Sequence, residues 1–212
     1  MASTMIHIAV ASEINKVINR DRSKLLLGSI APDLGKILGD GKETGHFIRK
    51  QYTNIPEIDL FLKKYKYYLY DDFVLGYYIH LYTDYLWFKY FLPEVYNDDN
   101  NMITKQDGTV VKCSGKMLNM YIYNDYTNLN VALIDEYNLD LSIFYNDPPI
   151  FKNIIEEIPM DRIGVVIDKM SVIIENSKVN KDLIFNIDNV KNFINLSIEL
   201  SVAKLKELKI IQ

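Results

Sequence analysis

The sequence has little cysteine, tryptophan, histidine, glycine or proline: one, one, three, nine and six respectively in 212 residues. The single cysteine, Cys113, excludes an intramolecular disulfide, which fits a reducing compartment. So few chain breakers argue against a many-turned β-sandwich and favour long uninterrupted helices. No stretch of about 18 apolar residues occurs, so no membrane-spanning helix is expected. The segment MASTMIHIAVASEINK has neither a basic leader nor a long apolar core. No export signal is therefore expected, and the expected location is cytoplasmic. There is also no basic excess: 24 Lys and Arg face 28 Asp and Glu, giving a net charge of -4. Bulk charge thus disfavours duplex nucleic acid as a partner. What remains is ordinary globular material, 49% hydrophobic and 25% charged, with 16 tyrosines and 9 phenylalanines to build an aromatic core.

The apolar pattern predicts an all-α fold: a single-domain multi-helix bundle over 1–212. Ser3 or Thr4 caps a first helix starting near Met5, on which Ile6, Val10, Ile14, Val17 and Ile18 recur at helical spacing. The run LLLGSI and Pro32-Asp33 follow, then a loop-rich stretch marked by Gly35, Gly39, Gly41 and Gly45. A helix is expected to start near His46, another to cover Glu57 to Tyr70, and the most strongly patterned one to cover Asp71 to Phe91, with Pro93 just beyond its end. Around 100–113, ITKQDGTVVK reads as a small β-hairpin turning at Asp107-Gly108. Helices resume over Met117 to Tyr137, from Pro149, from Ile163 and from Asp188. Residues 114–212 thus complete the helical body.

The residues with chemistry to offer fall in 1–90. His7, His46 and His80 are the only histidines, and each sits among apolar neighbours. His80 and Asp84 in HLYTD are four apart, so on a helix they share one face. Phe73, Tyr77, Trp87 and Phe91 fall on the same stripe at about 100° per residue, so this imidazole and carboxylate point inward. A buried carboxylate loses several kcal/mol of hydration unless it is neutralised. No Lys or Arg shares that face, which argues for a cation. Taken singly, each residue has a plainer reading: His7 as a core histidine, Asp33 as a turn or cap, His46 as a helix start. Together, three imidazoles and two carboxylates without a thiolate suit zinc, iron or manganese.

The order His7, GSIAPD with Asp33, His46-Phe47, then GYYIHLYTD with His80 and Asp84 resembles the zinc-dependent phospholipase C family, whose helical fold is shared with fungal single-strand nucleases. The resemblance spans roughly Met1 to Trp87. It implies a metal-dependent phosphoester hydrolase, in which Asp33, His46, His80 and Asp84 ligate one zinc. It further implies that His7 ligates a second zinc bridged by Asp84, and that Asp33 is the general base. Secreted members add an N-terminal tryptophan ligand and a third zinc held by two later histidines and a glutamate. This chain has neither that tryptophan nor any histidine after His80, so one or two divalent ions are expected rather than three. Asp125 in YNDYTN is a further carboxylate for a second site; as a lone residue it reads as a cap or turn. Tyr77, Tyr82 and Tyr85 flank the ligands and can shape a pocket.

Two other functions fit the same composition. One is an HD-type phosphohydrolase of nucleotides or other phosphomonoesters, although that family's adjacent His-Asp pair is absent. The other is a non-catalytic helical interaction module. The lysines of FLKKYKYY form one basic cluster, read as a solvated helix face.

Overall fold

A computed structural model describes residues 1–39, 43–49, 54–145, 153–177 and 182–212. It is mostly helical with one small antiparallel sheet. Helix α1 (Thr4–Ile18) starts at Ser3, whose hydroxyl accepts from the Ile6 N–H, and ends at Asn19 in the left-handed region. Helix α2 (Arg22–Gly28) is capped by Asp21 and carries the LLL run. A 3-10 turn over Ala31–Asp33 then leads into the short helix α3 (Leu34–Leu38), which stops at Gly39 with φ +88°. Gly41 lies outside the described residues.

Helix α4 (Ile58–Tyr65) and a 3-10 turn over Lys66–Tyr68 occupy the segment expected to be helical from Glu57. Helix α5 (Asp72–Leu86) begins at Asp71, whose carboxylate accepts from the N–H groups of Phe73 and Val74. It does not end before Pro93. It continues through a π-helical turn, Trp87–Phe91, into α6 (Leu92–Val95). The wide turn shifts the hydrogen-bond ladder, so Pro93 falls in the first turn of a new segment, where its missing N–H costs little.

The expected hairpin is present: β2 (Met102–Thr104) pairs with β3 (Val110–Lys112), Ile103 opposite Val111, and Gly108 takes φ +80° in the turn. A two-residue strand, β1 (Tyr96–Asn97), adds to the other edge of β2. Helices α7 (Gly115–Glu136), α8 (Gly164–Glu175) and α9 (Ile187–Glu207) follow. The helix expected from Pro149 is not found where the chain is described: 153–159 is irregular or turn, and 146–152 lie outside the described residues.

Helix α1 packs against α9, α5 and α7, so the C-terminal helices enclose the N-terminal ones. Trp87 and Phe91, at the end of α5, stack with ring centroids 4.1 Å apart and meet Phe185 and Phe193 edge-on. The closest helix crossing is α2 on α5. A Cβ on Gly28 would lie 2.1 Å from the Phe73 carbonyl oxygen, and one on Gly76 would lie 1.9 Å from that of Leu25. Only glycine at both positions lets the two backbones touch. No described helix is long and apolar enough to cross a membrane.

Candidate metal centre

Four separate pieces of chain deliver the five side chains singled out in the sequence. All five are buried; His46, His80 and Asp84 have no exposure, His7 has 1% and Asp33 has 7%. Asp33 closes the 3-10 turn that Pro32 opens. Gly76, His80 and Asp84 occupy successive turns of one α5 stripe, and Phe73, Tyr77, Trp87 and Phe91 are buried as the helical spacing requires. His7 comes from the almost wholly buried first half of α1.

His46 does not begin a helix. It sits in a turn over 43–47, and Phe47 after it takes φ +55°, which a helix cannot accommodate. Tertiary contacts impose that geometry. The Phe47 ring packs edge-on against Phe61 and Tyr65, and the Tyr77 hydroxyl donates to the Gly45 carbonyl. Tyr77 therefore acts by fixing the loop that carries His46. Tyr82 and Tyr85 do not share that role: Tyr82 stacks on Tyr78 and on Tyr85, and both line a surface groove with Pro56 and Lys204.

The functional ends converge. His46 Nε2 is 3.1 Å from His80 Nε2, 3.6 Å from Asp84 Oδ2 and 3.7 Å from Asp33 Oδ1. His80 Nε2 is 3.5 Å from Asp84 Oδ2. The His7 ring stacks on that of His80 at 3.6 Å and 10°, with its Nε2 3.4 Å from Asp84 Oδ1. Two overlapping sets, His7–His80–Asp84 and Asp33–His46–His80, have ligand atoms close enough to hold a cation.

The surroundings prepare the ligands. His80 Nδ1 lies 2.7 Å from the Ser29 carbonyl, an acceptor only, so Nδ1 carries the proton and donates it there. That leaves the Nε2 lone pair facing the cluster, as second-sphere contacts do for metal-binding histidines. The Ala2 N–H donates to Asp84 Oδ1 at 2.9 Å. Among the described residues, Asp84 Oδ2 and both nitrogens of His7 have no partner at hydrogen-bond geometry despite being buried. Such groups are costly to bury unless something neutralises them.

Protonation follows the same geometry. Burial, then the neighbouring His80, lowers the His7 pKa, so His7 is neutral at neutral pH. For His80, burial pulls downward, but the adjacent carboxylates of Asp84 and Asp33 and the Ser29 carbonyl prevail and raise it. Burial pushes both carboxyls up. It is outweighed at Asp84 by His7 and His80, which hold the group well below its ordinary range, and at Asp33 by His80 and His46. The two ionised carboxylates bring two negative charges to the cluster, which a divalent cation would balance once the imidazoles are deprotonated to bind it.

Asp125 does not join the site. It is buried in α7, and its oxygens accept from the backbone N–H groups of Leu183, Ile184 and Phe185 at 2.8–3.1 Å. It is neither cap nor turn residue; it secures the segment that leads into α9. Sequence reasoning missed the two backbone contributors, Ser29 and Ala2, because a main-chain carbonyl or amide leaves no residue-type signal. The lysines of FLKKYKYY, Lys63, Lys64 and Lys66, are exposed. Compared with models of protein families, with curated proteins and with solved structures, the chain matches none.

Proposed function

We propose that the chain is a metal-dependent phosphoester hydrolase with the helical architecture of the phospholipase C and single-strand nuclease type, acting in the cytoplasm on a phosphate ester. The observation that carries the proposal is the convergence of five buried nitrogen and oxygen ligands, with His80 oriented by the Ser29 carbonyl. Asp33, His46, His80 and Asp84 would hold one ion, and His7 with Asp84 a second, most readily zinc. Bound there, a divalent cation supplies Lewis acidity and lowers the pKa of a coordinated water from about 15.7 toward 7. Asp33 is the least buried of the five ligands, so it is the one placed to orient an incoming water and take its proton. His80 keeps its proton on Nδ1, held by Ser29, and so acts as a ligand rather than as an acid. The buried walls of α1, α2 and α5 exclude bulk water from the far side of the cluster.

The test is elemental analysis of the purified chain, followed by a panel of phosphomonoesters, phosphodiesters and phospholipids with added zinc, manganese or iron. We expect at least one ion per chain and hydrolysis of at least one ester class, both lost in His80→Ala. A metal-free protein whose stability and activity are indifferent to His80→Ala would return the chain to the class of interaction modules.

A further inference from the structure

Among the described residues, a cation stands one helical turn from the least buried of the five ligands. Asp33 retains 7% exposure, against 1% or none for the other four. Lys36 follows it by one helical turn on α3, so the two share a face. The Lys36 side chain is exposed and reaches toward α7, its Nζ 5.7 Å from the centroid of the half-exposed Tyr123 ring. No described carboxylate lies within ion-pair distance of that ammonium. It nonetheless feels the cluster: burial lowers its pKa, but Asp33, Tyr123 and Asp84 together raise it, so it stays charged at neutral pH. Among the described residues Tyr123 is the hydrogen-bond partner of this ammonium, and no carboxylate neutralises it.

Resting on the hydrolase reading above, we propose that Lys36 is the phosphate-binding residue of this site and that it selects phosphomonoesters over phosphodiesters. A phosphomonoester dianion brings one more negative charge than a diester. Once the ligands' own charge is balanced by an ion, the ammonium one turn from Asp33, with no carboxylate paired to it, is the group that recognises that extra charge. Tyr123, turned toward solvent beside it, gives the organic part of the ester a flat surface.

The test uses zinc-loaded wild type, Lys36→Met and Lys36→Arg, with metal content measured first. Inorganic phosphate binding is then measured by calorimetry, and turnover is measured on p-nitrophenyl phosphate and bis(p-nitrophenyl) phosphate. Loss of one charge-assisted contact should weaken phosphate about ten- to hundredfold in Lys36→Met. It should raise KM for the monoester by a similar factor with little change in kcat, shift the diester less than about threefold, and be largely restored in Lys36→Arg. Equal zinc content with unchanged phosphate affinity and unchanged monoester KM would overturn the role of Lys36 while leaving the metal site intact. Failure of wild type to load zinc would overturn the hydrolase reading, and the Lys36 proposal with it.

Discussion

The closest approach at any described glycine lies one turn from His80, so it offers a way to disturb the site without touching a ligand. In Gly76→Ala the new Cβ would start 1.9 Å from the Leu25 carbonyl oxygen. An ordinary contact needs about 3.5 Å, so α2 and α5 must separate by roughly 1.5 Å. Both partners are backbone, and no side-chain rotation relieves the clash. Overpacking of this kind costs about 1–3 kcal/mol. The functional consequence is more specific. Ser29 rides on the end of α2, and its carbonyl sits 2.7 Å from His80 Nδ1. The same separation would stretch that contact to roughly 4 Å, beyond hydrogen-bond length. Losing an outer-sphere partner of a metal-binding histidine typically lowers affinity about 10–100-fold. The assay pairs urea denaturation with zinc titration against a chelating competitor. Gly76→Ala should lower both stability and zinc affinity, whereas Val17→Ala, at an exposed position of α1, should change neither. A Gly76→Ala protein that is less stable yet binds zinc as tightly as wild type would refute the link from helix contact to ring orientation. One unchanged in both would refute the close contact itself.

Three further outcomes are expected. Saturating zinc at about 100 times its Kd should stabilise the fold by about 2.7 kcal/mol, visible as a rise in Tm that excess chelator reverses. His80 is held above its ordinary pKa and His7 below, so the second His80 proton, on Nε2, is the one that zinc must displace near neutral pH while Nδ1 keeps its proton on Ser29. Zinc affinity should therefore fall as pH drops through the imidazole range, with release of roughly one proton, read from calorimetry in buffers of different ionisation enthalpy. Asp125→Ala strands three backbone donors at Leu183, Ile184 and Phe185 and should cost about 3 kcal/mol in urea denaturation, yet leave the zinc stoichiometry unchanged.

The parts legible in the sequence are those governed by local periodicity. The α5 stripe carried its own evidence: a carboxylate and an imidazole one turn apart, flanked by aromatic residues at the same spacing, are all buried as that spacing requires. Helices α1, α7, α8 and α9 and the Asp107-Gly108 hairpin were readable for the same reason. Features decided by distant contacts were not. The turn at His46 depends on Phe47 reaching Phe61 and Tyr65, and on a tyrosine hydroxyl more than thirty residues away. Continuation of α5 past Phe91 depends on a π turn that no residue type announces. Strand β1 is two residues long and exists only because β2 offers it an edge. Asp125 reads in sequence as a spare site carboxylate or as a cap or turn residue, because the backbone it serves lies nearly sixty positions downstream.

The bond from Ser29 to His80 uses a peptide carbonyl, which every amino acid possesses. Mutational drift at the buried position 29 can therefore exchange serine for another small residue without disturbing the imidazole tautomer, while drift at 28 and 76 cannot, since any added carbon wedges two main chains apart. A deep mutational scan scored for zinc retention should accordingly be intolerant at two residues with no functional groups at all, and should accept other small residues at position 29, whose main-chain oxygen sets the tautomer.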